Sequence, residues 1–149
     1  MGIEEKDQKN FMTYINKQPK EQTMNNPYQK HIIKLQGKEF ITFKGLLAIA
    51  HDQGLQSIAT EMISLDKDTT EEEKNGKVYI TVATGLCIFK ATVLGERGTY
   101  NAFGDASPRN VGKMIAPHLI RMAETRAIAR ALRLYTGCGY TALEELGER

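Results

Sequence analysis

The sequence predicts an α+β domain in which an antiparallel β-meander packs against one long C-terminal helix. A β-rich run at residues 78–94 is followed by a turn and by a second strand-like segment at residues 99–103. The longest helical pattern comes next, at residues 108–136, and Gly137 and Gly139 follow it as stop signals. Successive strands before a single long helix favour this class over alternating α/β units.

The composition is that of a globular protein with one core. Of the 149 residues, 41% are hydrophobic and 26% are charged, so the chain can bury a core without cross-links. No apolar run approaches about 18 residues, which predicts no membrane span. The polar start of the chain predicts no secretory signal. Cys87 and Cys138 are far apart, which is typical of free thiols in a reducing cytoplasm.

The chain is predicted to consist of an arm and a single domain. Residues 1–27 are polar and contain Pro19 and Pro27, so we expect a flexible N-terminal arm. Regular patterns of apolar residues begin after this segment. We therefore place one domain at residues 28–149.

The first half of the domain predicts a strand and a short helix. Residues 31–35 read as a short strand, and residues 36–39 as a turn. Apolar spacing predicts a helix over residues 42–53, with Thr42 as its N-cap and Gly54 as its stop.

A hairpin is predicted to follow this helix. Residues 55–65 read as a strand, and residues 66–77 as a charged loop. The loop contains an Asn-Gly pair at positions 75 and 76, which is a strong turn signal between strands. The next run, residues 78–94, is longer than a normal strand. Gly85 lies inside it and predicts either a bulge or a corner between two strands.

The last third of the chain predicts the long helix and a short final strand and helix at residues 140–146. Ser107 is a suitable N-cap, with Pro108 at the first helical position. Pro117 cannot lie in a regular helix interior, because its ring removes a hydrogen bond and clashes with the preceding turn. We therefore expect a break near Ala116 or a new helix that starts at Pro117.

Positive charge collects in this helical segment. Residues 108–136 contain six basic residues and one acidic residue, a net +5 on a chain whose total is +2. At 100° per residue, three guanidinium groups form one stripe beside a face made mostly of alanine: Arg126, Arg130 and Arg133. Two interpretations are open. The stripe binds an anion, or it is solvated or paired with acidic groups of a neighbouring subunit.

No catalytic constellation is recognisable, so we predict no enzymatic activity, no metal and no cofactor. The three histidines are isolated in the sequence, at positions 31, 51 and 118. Residues 104–107 resemble a phosphate-binding turn before a helix, but they lack the spacings of known phosphate loops. Helix capping by Asp105 or Ser107 is the favoured interpretation. A small enzyme that holds a nucleotide phosphate at this turn is the alternative.

One segment resembles a known family. The run MAETRAIARALR at residues 122–133, followed by Gly137, resembles the signature helix of the Rad52 family of single-strand annealing proteins. The similarity extends over about residues 30–146 and is greatest to the short bacterial and phage branch. It implies a β-β-β-α core that assembles into a ring or an open filament. Single-stranded DNA would lie in an outer groove with its bases exposed for pairing.

The resemblance also implies which residues contact DNA. Arg130 and Arg133 match DNA-contacting positions of the family helix, whereas Ala129 stands where better-known members have a basic residue. Arg126, one turn earlier, is the expected replacement. A further family basic residue near the first hairpin corresponds to Lys44 or Lys38.

The function that the resemblance implies is ATP-independent single-stranded DNA binding and strand annealing in recombination or repair, with DNA-end protection as a related role. The expected partners are single-stranded DNA and further copies of the chain, in the cytoplasm of a bacterium or a phage-infected cell. The single-stranded-DNA-binding protein of that host or phage is a candidate partner, and no membrane is involved. The alternative is an oligomeric scaffold whose Arg stripe pairs with neighbouring subunits.

Overall fold

A computed structural model describes residues 28–147, and the predicted arm at residues 1–27 lies outside this range. It confirms the α+β class: a helix packs on an antiparallel three-stranded sheet, beside a smaller three-stranded sheet. The elements in chain order are β1 (Ile32–Leu35), β2 (Lys38–Ile41), α1 (Phe43–Asp52), β3 (Leu55–Lys74), β4 (Lys77–Gly95), β5 (Gly98–Ala106), α2 (Leu119–Thr136) and β6 (Thr141–Ala142). No helix within residues 28–147 has the length and apolar character needed to cross a membrane.

The smaller sheet contains a strand that the sequence did not reveal. Residues 36–39 were predicted to be a turn, but only Gln36 and Gly37 form it, both with positive φ angles of 50° and 76°. Two positive φ angles are what a tight hairpin turn requires, so β2 begins immediately at Lys38. The strand is only four residues long, with two exposed residues followed by a half-buried and a buried one, so it shows no alternation. The predicted cap of α1 is confirmed, because the Thr42 hydroxyl accepts a bond from the Gly45 N–H.

The main sheet is built on one very long hairpin. Residues 66–74 were predicted to be loop, and this is wrong, because β3 continues to Lys74 opposite β4. The Asn75-Gly76 turn is confirmed, with φ angles of 53° and 72°. Charged residues are compatible with strand here because this part of the hairpin is exposed. β4 is a single strand, and the predicted irregularity at Gly85 is a bulge.

The core lies between this sheet and α2. The buried side chains of β4 alternate along the strand at Cys87, Phe89, Ala91 and Val93. The alanine face of α2 packs over β4 and β5 and is fully buried, at Ala123, Ala127 and Ala131. Small side chains allow a helix to approach a sheet closely. Both cysteines are free thiols, and burial raises the pKa of the Cys87 thiol above its ordinary value.

The start of the long helix differs from the prediction. α2 begins at Leu119, after a single 3-10 turn at Ala116–His118 that contains Pro117, so the expectation of a new helix at this proline holds. Ser107 is not its N-cap. The Ser107 N–H instead donates to Asn110 Oδ1 at 2.9 Å, within an irregular segment. The end of α2 is as predicted, with Gly137 in the left-handed conformation at φ 68°.

Gly104 lies inside β5, not in a phosphate-binding turn, and it marks the closest contact of sheet and helix. A Cβ at this position would be 2.2 Å from the Ala127 nitrogen and 2.3 Å from the Ala123 carbonyl oxygen. Backbone atoms of a packed helix cannot move aside cheaply. Only glycine therefore fits at position 104.

We expect the substitution Gly104→Ala to lower the free energy of unfolding by about 3 kcal/mol, because it forces α2 away from the sheet. Urea denaturation measures this change. Gly139→Ala is the matched control, since nothing lies within 4 Å of a Cβ at that position, and it should change stability by less than about 0.5 kcal/mol. Equal effects of the two substitutions would contradict the close contact.

Candidate functional site

The Arg stripe of α2 converges on one residue of the same chain, Glu145. Arg133 Nη1 donates to both Glu145 oxygens at 3.0 and 3.1 Å, and Arg130 Nε lies 3.4 Å from Glu145 Oε2. Arg126 Nε donates to the Glu145 backbone carbonyl at 2.9 Å. The predicted alignment of three guanidinium groups is therefore real. Their neutralising partner is Glu145, which lies in a 3-10 turn after β6.

Arg126 is a buried structural residue. It is only 5% exposed, and its guanidinium also donates to the Asp105 carbonyl at 2.7 Å and to Asn110 Oδ1 and O at 2.9 and 3.0 Å. Burial is the main cause that lowers the pKa of Arg126, although the charge of Asp105 opposes the shift. These bonds tie the end of β5, the segment after it and the C-terminal turn to α2. A role for Arg126 in place of the family's basic residue at Ala129 does not fit this position.

Arg130 and Arg133 are partly exposed, with 40% and 29% of their side chains accessible. Arg130 Nη1 donates to the Phe103 carbonyl at 3.0 Å and lies 3.4 Å from Asp105 Oδ1. In the stripe, Arg130 and Arg133 are therefore paired with two carboxylates of their own protomer, and Arg126 is held by carbonyl oxygens. The sequence left open an anion ligand, solvation or pairing with a neighbouring subunit, and within one protomer the structure shows Asp105 and Glu145 as partners of the stripe.

A cleft of about 1190 Å³ opens beside the stripe. One wall is the β1–β2 hairpin, with Leu35, Lys38 and Phe40, and the opposite wall is the first turns of α2. The remaining lining comes from the 3-10 turn at His118, from the loop around Asn110 and from the C-terminal turn. The C-terminal turn therefore both neutralises the Arg stripe and forms the floor of the cleft.

The cleft carries unpaired positive charge. Lys38 and Arg121 are exposed on its two walls, and no described carboxylate lies within 4.0 Å of either. The acids that line the cleft are already engaged. Glu144 Oε2 accepts the Phe43 N–H at 2.8 Å, and Glu145 is held by the Arg stripe. Two cations thus face a cleft in which Glu145 is paired with arginines, while Glu144 keeps its charge and is hydrogen-bonded to a backbone N–H.

Only some of the predicted site residues therefore line the cleft. Lys38 lines the cleft, whereas Lys44, in the first turn of α1, does not. Arg126 is part of the lining of the cleft, whereas Arg130 and Arg133 are not. Arg121 was missed by sequence reasoning, because it is about 140° from Arg126 on the helical wheel and so falls off the stripe. Glu124 lies three residues later on the same side of α2, but its Oε1 accepts a hydrogen bond from the Thr60 hydroxyl at 2.7 Å.

The other titratable groups form no second centre. Across residues 28–147, no three His, Cys, Asp or Glu side chains come together as a metal site. His118 borders the cleft, whereas His51 is exposed near the end of α1. No family model, curated protein or solved structure matches this chain. The function of the chain must therefore be inferred from the residues that line the cleft.

We expect Arg126→Ala to lower the free energy of unfolding by about 3–5 kcal/mol, because it leaves buried acceptors of three segments without a donor. Thermal or urea unfolding measures the loss. Arg121→Ala is the matched control on the same helix. Its side chain is exposed and unpaired among the described residues, so the change should stay within about 0.5 kcal/mol. If Arg126→Ala proved as mild as its control, the structural role given to Arg126 would be wrong.

Proposed function

We propose that this chain binds single-stranded DNA along the cleft between the β1–β2 hairpin and α2. The observation that carries the proposal is the pair of unpaired cations, Lys38 and Arg121, on opposite walls of the cleft. A polyanion that enters the cleft meets these two positive groups, while Glu145 is paired with arginines and Glu144 is held by the Phe43 N–H. Each phosphate contact adds affinity that depends on salt.

The apolar lining favours a single strand over a duplex. Phe40, Leu35 and Met122 line the same cleft as the cations. Proteins that bind single strands combine a basic groove with surfaces on which bases stack. A duplex presents its phosphates to such a groove and keeps its bases stacked inside. An unpaired base can rest on Phe40 while its phosphate reaches Lys38 or Arg121.

The biological role we propose is strand annealing in recombination or repair, with protection of DNA ends as a related activity. It rests on the resemblance of residues 122–133 to the Rad52 family helix, together with the cleft. Pairing of complementary strands is downhill, so the proposed activity needs no nucleotide hydrolysis. Two cations per protomer bind weakly, and repetition of the cleft in an oligomer would raise the overall affinity through effective concentration.

The stripe takes a supporting part in this proposal. Arg133 and Arg126 hold the C-terminal turn, and the exposed part of Arg130 adds positive potential at the rim of the β5–α2 contact. The alternative function is a scaffold in which the stripe pairs with neighbouring subunits. Carboxylates of the same chain already pair with Arg130 and Arg133, which favours the cleft as the charged surface.

We expect Lys38→Ala and Arg121→Ala each to weaken binding of a labelled single-stranded oligonucleotide by about 1 kcal/mol, roughly fivefold. Fluorescence anisotropy over a salt series measures both affinity and slope. Each lost phosphate contact should make the slope of log K against log salt less negative by about 0.7.

Lys44→Ala is the control for this experiment, because Lys44 is an exposed lysine that does not line the cleft. It should leave affinity and slope unchanged. If the double variant Lys38→Ala/Arg121→Ala keeps the affinity and slope of the wild type, the cleft is not the DNA site.

We expect Glu145→Gln to raise single-strand affinity by about threefold, because it removes the charge that neutralises Arg130 and Arg133 beside the cleft. The same change should lower the free energy of unfolding by about 2 kcal/mol, since the side chain of Glu145 is only 6% exposed. Glu72→Gln makes the same charge change on an exposed strand position and should alter neither quantity. Loss of stability without a gain in affinity would show that internal neutralisation does not limit binding.

A further inference from the structure

The far half of the β3–β4 hairpin projects from the domain as a two-stranded ribbon. The last pairing of β5 joins Ala106 to Cys87, so the part of β4 before Cys87 has a neighbour on one side only. Eight residue pairs, from Lys67 opposite Thr84 to Lys74 opposite Lys77, extend the hairpin beyond that point. At roughly 3.3 Å per residue the ribbon is about 25 Å long. We call residues 67–84 the ribbon.

The bulge at Gly85 determines which face of the ribbon is apolar. Leu65 lies opposite Cys87 and Lys67 lies opposite Thr84, so β4 uses one more residue than β3 between these pairs. Because side chains alternate along a strand, the extra residue places Thr84 on the same face as Cys87, which is the face that α2 covers. The apolar residues that continue this face are Val82, Ile80 and Val78.

The ribbon thus continues the core-facing surface of the sheet beyond the part that α2 covers. Val82, Ile80 and Val78 are 59%, 63% and 64% exposed. An isolated two-stranded ribbon is marginally stable in water, and an exposed apolar edge strand is an open template for another chain. A contiguous apolar face of this kind marks an interaction surface.

We propose that this face of the ribbon docks on the body of a second copy of this chain. The acidic residues on the same face of the ribbon indicate which kind of surface can dock there. Glu71 is opposite Ile80 and Glu73 is opposite Val78, so both carboxylates share the apolar face. Two ribbons packed against each other would bring these like charges together. A surface with positive charge and an exposed apolar side chain is the complement.

The body of the same chain carries such a surface on the loop between β5 and α2. Met114 is 78% exposed, the highest value among the large hydrophobic residues of the described chain. Arg109 and Lys113 are exposed on the same loop, and no described carboxylate lies within 4.0 Å of them. The loop is held in place, since Arg126 donates to Asn110 Oδ1 and to its backbone carbonyl. Ribbon and loop therefore match in both hydrophobicity and charge.

A contact between two different surfaces of identical chains is heterologous, and its repetition gives a ring or a filament. The contact uses neither Lys38 nor Arg121, so it stands whether or not the cleft binds DNA. It also differs from the pairing first expected of the Arg stripe. The acidic partner is the ribbon, and the basic partner is the loop after β5.

The test is a charge exchange followed by sedimentation velocity of the full chain without nucleic acid. Wild type should form concentration-dependent oligomers. Glu71→Lys/Glu73→Lys and, separately, Arg109→Glu/Lys113→Glu should each raise the apparent dissociation constant of assembly at least about tenfold. The combination of all four changes should restore it to within about threefold of wild type.

Two further variants separate the docking face from the opposite face. Ile80→Ser/Val82→Ser should disrupt assembly, whereas Tyr79→Ser with Glu72→Lys, on the other face, should not. All positions are exposed, and circular dichroism checks that each variant folds. A wild type that stays monomeric up to about 100 μM, as it would if residues 1–27 covered the ribbon, overturns the proposal. If the variant with all four charge changes does not restore assembly, the proposal is overturned as well.

Discussion

The contact on which this fold depends is the single carboxylate of Glu145 among three arginines of α2. Two guanidinium groups bind its side chain and a third binds its carbonyl oxygen. Glu145 is brought there by β6, which pairs parallel with β2 and so joins the C-terminal turn to the smaller sheet. One cluster therefore connects α2, β5, the loop after β5 and the β1–β2 hairpin. A helix with three aligned like charges is stable here because its counter-charge comes from the same chain.

This neutralisation moves the available positive charge away from the position where the sequence concentrates it. The stripe accounts for half of the basic residues of its segment, yet its charge is largely balanced by Glu145 and Asp105. Among the described cations without a carboxylate within 4.0 Å are Lys38 and Arg121 in the cleft and Arg109 and Lys113 on the adjacent loop. The first pair lines an open cleft that also contains apolar side chains, and the second pair is exposed on the loop that carries Met114. The groove suits a chain of phosphates and bases, and the loop suits a protein surface.

Signals between neighbouring residues predicted much of the fold. The elements that depend on pairing between distant parts of the chain were not predicted. The Thr42 cap, the Asn75-Gly76 turn and the left-handed Gly137 follow from residues within a few positions of one another. Strand at residues 66–74 was missed because exposed charged residues give no alternation, and only pairing with β4 makes them strand. The partner of the Arg stripe was missed for a similar reason. Glu145 follows Arg133 by twelve residues, across a turn whose path composition does not reveal.

The Gly85 bulge shows how one residue can join folding to assembly. Without the extra residue, strict alternation would place Val78, Ile80 and Val82 on the face of the sheet opposite α2. Their side chains would then extend no existing core, whereas Glu71 and Glu73, on the regular strand β3, would stay on the face that Leu65 shares with Cys87. The bulge instead aligns the apolar stripe of the ribbon with the buried stripe of β4. A second copy that covers the ribbon therefore continues the same layer that α2 begins, and the buried Arg126 that holds the loop after β5 fixes the surface that such a copy would present.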